Sequence, residues 1–217
     1  MRPTDRLRRQ CQSDWDAATD NPFTRELAEG TLPTAKLAWY LAQDYTFIEG
    51  FVKLMGSAIA TSPTLPDALP KAQFLGVIAG PENTYFQRSF EALDVPQSER
   101  EHPTLSATAT GLQALMAEAA TSGRHERMLA VLTGAEWSYL SWAAPYADRA
   151  PHLPFYFGEW IALHSGDYFE SVVEHLRSQF DQIWLTADSA AQAQAADDFA
   201  RCIALERAFF AEAYAAA

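Results

Sequence analysis

Apolar side chains recur at steps of three and four residues along most of the chain, and strict alternation of apolar and polar residues is nearly absent. Such spacing is typical of amphipathic α-helices, and proline and glycine separate the periodic stretches. The pattern predicts helices at 4–18, 24–29, 33–61, 66–93 (interrupted near 79–83), 104–122, 125–147, 166–185 and 189–216, with irregular segments at 94–103 and 148–160. Because the connections are short, we predict one all-α domain, a bundle of seven or eight helices spanning residues 1–217.

One predicted helix carries an acid inside its apolar face. In "KLAWYLAQDYTFIEGF" (36–51), Asp44 lies four residues after Tyr40 and three before Phe47, so it shares their side of the helix. An unpaired carboxylate in such a position costs several kcal/mol. The nearest lysine along the chain is eight residues away, which is too far for pairing within the helix.

Two further acids lie in similar surroundings near the middle and the end of the chain. In "FARCIALERAFFAEAY" (199–214), Glu206 falls on the face that contains Phe209. Glu136 lies at the edge of an aromatic-rich apolar stripe in "MLAVLTGAEWSYLSWAAPY" (128–146). Each acid taken alone could lie at a rim or pair with a distant cation. Asp44 and Glu206 together favour an apolar pocket in which one acid gives a proton and another accepts one.

Aromatic residues surround these positions in the sequence. They include Tyr40, Tyr45, Phe47, Phe51, Tyr139, Trp142, Phe209 and Phe210. Each ring could simply pack in the core, but as a set they would also suit a flat heteroaromatic ligand held by stacking.

Composition excludes several classes of protein. The chain of 217 residues has a net charge of −12, and no run of five or more basic residues offers a surface for nucleic acid. No apolar run approaches the roughly 18 residues that a membrane span needs, and no apolar leader opens the chain. With only two cysteines, Cys11 and Cys202, a disulfide framework is not expected, and we predict a cytoplasmic protein.

Metal and nucleophile signatures are missing. Bundles that bind two iron ions through carboxylates use Glu-x-x-His pairs on facing helices, whereas the single Glu-x-x-His here, Glu99 to His102, lies in a predicted loop. Neither cysteine has an evident base nearby. We therefore predict no metal and no cofactor.

Four segments in order give the sequence a family resemblance. "WYLAQDYTFIEGF", "GAEWSYLSWA", "FYFGEWIALHSGDYFESVV" and "ALERAFFAEAY" resemble segments of the TenA family, which has the haem-oxygenase-like all-α fold. The family includes the thiaminase II and aminopyrimidine aminohydrolase enzymes of thiamin salvage. The resemblance implies that Asp44 binds the amino group of a pyrimidine and that Glu206 contacts a ring nitrogen and moves protons. It also implies that Phe47, Tyr139 and Phe209 are pocket aromatics.

The sequence departs from the family pattern at three positions. The better-known branch has a cysteine nucleophile in P-C-x-W-x-Y, and the matching stretch here, 134–139, places Ala135 at the position of the cysteine. Two family tyrosines correspond to Thr108 and His164, each expected to contact substrate. The chain thus resembles the branch that lacks the cysteine, with Glu136 as a possible third catalytic acid because it adjoins the vacated position.

Three functions remain open from the sequence. The first is a hydrolase of an amino- or formylamino-pyrimidine that works by carboxylate acid–base chemistry, with Glu206, Asp44 and Glu136 as catalytic groups. The second is a pyrimidine- or thiamin-binding or regulatory protein that performs no catalysis. The third is a metal-dependent oxidative member of the same fold. The resemblance further implies a homo-oligomer, either a tetramer or a dimer.

Overall fold

A computed structural model describes residues 1–216, which form α-helices connected by short segments and contain no strand. The helices are α1 (Pro3–Gln10), α2 (Gln12–Thr19), α3 (Pro22–Glu29), α4 (Thr34–Tyr45), α5 (Phe47–Ala60), α6 (Leu65–Val77), α7 (Asn83–Ala92), α8 (Gln97–Glu101), α9 (Ala107–Thr121), α10 (His125–Ala143), α11 (Phe155–Leu163), α12 (Gly166–Thr186) and α13 (Ser189–Ala215). A π-helical turn, Ile78–Glu82, joins α6 to α7, and a 3-10 helix, Ala144–His152, follows α10. The predicted all-α class is confirmed.

The helices are more numerous than the seven or eight predicted, because long periodic stretches are broken by local hydrogen bonds. The predicted helix at 33–61 divides at Thr46, whose N–H donates to the carbonyl of Gln43 at 3.1 Å, three residues back instead of four. The side-chain amide of Gln113 on α9 donates to both the carbonyl and the hydroxyl of Thr46, at 3.1 and 2.9 Å. A contact from a distant part of the chain therefore stabilises the break.

Two segments predicted to be irregular contain helices. Within 94–103 lies the short helix α8, and within 148–160 begins α11. Pro154 immediately precedes the first residue of α11, a place where proline costs no helical hydrogen bond. The prolines thus mark the start of this helix and do not prevent it.

Helix α10 lies at the centre of the bundle and packs against α13, α12, α5 and α9. Nearly all of its residues are buried. Gly134 allows α13 to approach closely, since a Cβ added there would lie 3.2 Å from both the Cβ and the Sγ of Cys202. Residues that follow Gly134 on α10 are thereby held beside the next turn of α13.

Helix α11 is positioned by a second glycine. A Cβ added to Gly158 would lie 2.2 Å from the backbone oxygen of Ala150 in the 3-10 helix. Only a residue without a side chain fits this contact, and α11 carries Trp160, which is buried. Among residues 1–216, no helix is both long and apolar enough to cross a membrane.

Replacement of Gly158 by alanine should separate α11 from the 3-10 helix. We expect Gly158→Ala to lower the free energy of unfolding by about 1–3 kcal/mol, the usual cost of overpacking. Urea unfolding followed by circular dichroism measures the change.

The matched control is Gly56→Ala on α5, where an added Cβ meets no atom within 4 Å. That variant should be more stable than the wild type by about 0.5–1 kcal/mol, because alanine is the better helix former. Equal stability of the two variants would refute the packing role of Gly158.

Candidate active site

Seven helices, together with the π-helical turn, line one cavity in the interior of the bundle. The centre of a water-sized sphere can occupy about 60 Å³ of it, several times the roughly 10–15 Å³ that one water molecule needs. Its lining residues are Asp44, Phe47, Ile48, Phe51, Phe74, Ile78, Glu82, Met116, Ala135, Glu136, Tyr139, Trp160, His164 and Glu206. The walls are mostly aromatic and aliphatic, and the polar groups among them are dominated by four carboxyl groups.

Asp44 and Glu206, which the sequence predicted to converge, both line this cavity and are both buried. Burial raises the pKa of Glu206 from its ordinary value of 4.5 to about 8. Burial, with the nearby carboxyl groups of Glu82 and Glu206, raises the pKa of Asp44 well above its usual range. One oxygen of Glu206, Oε2, has no hydrogen-bond partner among the described residues. Both acids therefore hold protons at a pH where ordinary carboxyl groups are ionised.

Glu136 lines the same cavity from α10, one residue beyond Ala135. Its pKa is raised well above its usual range, first by burial and then by the other three acids. Ala135 also faces the cavity, so the position where the resemblance places a nucleophile is here occupied by a methyl group.

Glu82 is the fourth acid, and the sequence reasoning missed its role. It ends the π-helical turn Ile78–Glu82, whose irregular geometry follows from Pro81, a residue that cannot donate a backbone hydrogen bond. Burial raises the pKa of Glu82 from 4.5 to about 7. The interruption predicted near 79–83 was a usable signal, because π-helical turns within helices are frequent at functional sites.

His164 faces the cavity as a neutral hydrogen-bond acceptor. Its Nδ1 lies 2.8 Å from the carbonyl oxygen of Trp160, and because a carbonyl can only accept, Nδ1 carries the hydrogen. Burial lowers the pKa of His164 to about 4, so the ring is neutral near pH 7 and Nε2 offers a lone pair. The ring packs 4.8 Å from that of Tyr139, centroid to centroid.

The hydroxyl groups of Tyr139 and Tyr40 are hydrogen bonded at 2.7 Å. Tyr139 lines the cavity from α10, while Tyr40 lies one turn before Asp44 on α4. This contact ties the wall that carries Glu136 to the wall that carries Asp44.

The predicted contact residues divide into two groups. Phe47, Tyr139, His164 and Ala135 line the cavity, whereas Phe209 and Thr108 are buried but do not. Phe209 packs behind Phe47, with ring centroids 5.2 Å apart, and so supports the wall from outside. Thr108 is buried near the start of α9. Substrate contact by these two residues stays a prediction.

The cavity lacks groups that would neutralise its acids. Its lining residues include no lysine and no arginine. In the part of the chain described, residues 1–216, no group of three or more His, Cys, Asp or Glu side chains could hold a metal ion. The four acids are instead suited to donate hydrogen bonds when protonated and to accept them when ionised.

An all-α chain with one acid-lined cavity has the form of a small-molecule-binding protein. Comparison with known proteins gives the family: the model of the TENA/THI-4/PQQC family matches residues 8–216, and the chain belongs to this family. A relative from Bacillus subtilis (strain 168), named aminopyrimidine aminohydrolase, is 24% identical over 200 residues. The match covers 92% of this chain and 84% of the relative.

Solved structures show the same fold. The TenA homologue from P. horikoshii OT3 superposes with a TM-score of 0.84 at 21% identity, covering all of both chains. Heme oxygenase-1 from the cyanobacterium Synechocystis sp. PCC6803, in complex with heme, gives a TM-score of 0.60 at 16% identity, covering 98% of this chain and 92% of the other. The predicted TenA resemblance and haem-oxygenase-like fold are both confirmed.

The raised pKa of Glu206 predicts how stability depends on pH. The folded chain binds this proton up to about pH 8, whereas the unfolded chain releases it near 4.5. Stability should therefore fall as the pH rises between these values, since the folded state binds more protons. Glu206→Gln removes the contribution of this one group, so the variant should exceed the wild type by about 2–4 kcal/mol at pH 9 and by little at pH 4.5.

Urea unfolding at both pH values measures the difference. Glu91→Gln, a change at an exposed glutamate on α7, is the matched control and should leave the pH dependence as in the wild type. An equal effect of the two substitutions at pH 9 would contradict the raised pKa.

Proposed function

We propose that the chain is a thiamin-salvage hydrolase that cleaves a C–N bond in an amino- or formylamino-pyrimidine. The observation that carries the proposal is the convergence of four buried carboxyl groups in one aromatic-walled cavity. The name of the Bacillus subtilis relative, aminopyrimidine aminohydrolase, supports the same substrate class. A cytoplasmic location, a single domain and a homo-oligomeric state remain part of the proposal.

The cavity suits a small aminated aromatic ring. Phe47, Tyr139 and Trp160 supply aromatic surface for its faces and edges. The carbonyl oxygen of a protonated Asp44 accepts a hydrogen bond from an exocyclic amino group, and protonated Glu206 donates one to a ring nitrogen. Since no lysine or arginine lines the cavity, the acids remain available for the ligand.

The reaction needs one proton donor and one base. In the proposed mechanism protonated Glu206, with a pKa of about 8, gives its proton to the leaving nitrogen. Glu82, with a pKa of about 7, is partly ionised near neutral pH and takes a proton from water. Glu136, close to Ala135, is the second candidate for the base.

The bonds balance with water as the only co-reactant. For an aminomethylpyrimidine, the water oxygen bonds to the methylene carbon, the C–N bond breaks with its electrons on nitrogen, and an alcohol and ammonia result. For the N-formyl derivative, water adds to the formyl carbon, and the products are the amine and formate. Neither reaction requires a nucleophile at position 135.

The alternative is a protein of the same fold that binds a pyrimidine or thiamin without turnover. The specific observation in its favour is the methyl group of Ala135 at the position where the resemblance places a nucleophile. Calorimetry of the wild type with hydroxymethylpyrimidine, beside an assay for released ammonia and formate, separates the two functions. Tight binding without release would select the alternative.

Glu206→Gln tests the proton donor. We expect kcat for release of ammonia or formate to fall by about 10²–10⁴, the contribution typical of general acid catalysis, because the amide has no proton of suitable acidity to give. Steady-state kinetics at pH 7 measures the loss. Glu91→Gln serves again as the exposed control, and wild-type turnover by the Glu206 variant would eliminate Glu206 as the donor.

Glu82→Gln tests the residue that the sequence did not single out. If its carboxylate activates water, the acidic limb of the pH–rate profile should disappear and kcat should drop by about 10²-fold or more. Binding of hydroxymethylpyrimidine should change far less, because the amide keeps the shape of the side chain. An unaltered pH–rate profile would show that Glu82 is not the base and that another acid activates water.

A further inference from the structure

The cavity has one lining side chain that is not buried, Ile48. The other lining residues, from seven helices, the π-helical turn and the position after α11, are all buried. Ile48 is partly exposed and is the second residue of α5. Among the lining residues, Ile48 is therefore the one that also reaches solvent.

Ile48 also lines a separate groove on the surface. The other residues of the groove are Tyr45, Thr46, Glu49, Arg100, Glu101, His102, Pro103, Leu105 and Gln113. Ile48 is the single residue that lines both the groove and the cavity. It thus separates an outer space, open to solvent, from an inner space that holds the four acids.

The backbone on either side of Ile48 is held in place. Gln113 on α9 donates to the carbonyl and hydroxyl of Thr46, just before α5. Two residues after Ile48, Gly50 faces Met116, which itself lines the cavity, and a Cβ added to Gly50 would lie 3.6 Å from the sulfur, an ordinary contact distance. Helix α5 therefore packs against α9 on both sides of position 48.

We propose that Ile48 is a specificity-determining residue, a gate that limits the size of the group leaving the pyrimidine. The inference rests on the proposed function, since it assumes a ring in the cavity with its cleaved substituent directed past Ile48 into the groove. Ammonia or formate is small enough to pass. A substituent that carries a second ring is held back by the branched side chain.

The first experiment compares two substrates in Ile48→Ala. One is 4-amino-5-aminomethyl-2-methylpyrimidine, which releases ammonia, and the other is thiamin, which releases a substituted thiazole. The ratio of kcat/KM for thiamin to that for the amine should rise at least tenfold in the variant. Val52→Ala, one turn further along α5 at an exposed position outside both spaces, should keep the wild-type ratio. A ratio unchanged by Ile48→Ala would overturn the gate.

The second experiment needs no enzymatic activity, so it distinguishes failure of the gate from failure of the proposed function. Ala135→Cys places a thiol in the cavity, and Cys11→Ser removes the half-buried natural thiol. Peptide-resolved mass spectrometry then follows labelling of position 135 by N-ethylmaleimide and by a bulkier maleimide. Buried Cys202 lies on a different peptide and serves as an internal reference.

In this background Ile48→Ala should speed labelling, most strongly for the bulky reagent, and Ile48→Trp should slow it at least fivefold. Val52→Trp is the control for a large ring added to α5 and should leave the rates unchanged. Labelling rates insensitive to position 48 would show that the cavity opens elsewhere and would reject the gate, whatever the wild type hydrolyses. Rates that follow the size of residue 48, in a protein that cleaves neither substrate, would support the gate and reject the hydrolase.

Discussion

The cost of placing four carboxyl groups in one buried cavity is the constraint on which the site depends. Asp44, Glu82, Glu136 and Glu206 share a space that no lysine or arginine lines. Charged acids in such surroundings would cost many kcal/mol, and the favourable solution is to keep protons bound. Burial raises the pKa of all four acids, and the neighbouring carboxyl groups raise those of Asp44 and Glu136 further. The cavity thus contains protonated carboxyl groups near neutral pH, and such groups can act as general acids.

Helices α10 and α13, which carry Glu136 and Glu206, also contain a buried acid that is paired with a cation. Asp198 on α13 is fully buried, and Arg127 on α10 contacts both of its oxygens, at 2.7 and 3.0 Å. Two turns further along α13, Glu206 has no such partner. A buried acid that serves stability alone is normally paired, because an unpaired one is strongly destabilising. Unpaired buried acids with raised pKa values are therefore more typical of a functional site than of a structural one.

Much of the fold and three of the four acids were predictable from periodicity. Asp44 and Glu206 interrupt apolar faces, so a helix of 3.6 residues per turn directs them into the core. Glu82 was not predictable in this way, because the π-helical turn before α7 changes the direction in which its side chain points. Helix α11 was not predicted because prolines flank it. Its position depends on the contact between Gly158 and Ala150, which are eight residues apart in sequence and belong to different helices. The division between Phe47, which lines the cavity, and Phe209, which backs it, depends on packing between helices that periodicity does not specify.

The most direct test of the account is a titration of the glutamate carboxyl carbons by NMR in protein labelled with ¹³C at that atom, with single Glu-to-Gln variants used for assignment. The account predicts that Glu206 titrates near pH 8, Glu82 near pH 7, and Glu136 well above the normal range. Free glutamate side chains titrate in a lower range, between about pH 4 and 5. If all glutamates titrated in that lower range, the cavity would hold ionised acids at neutral pH, and the proposed proton donor would not exist.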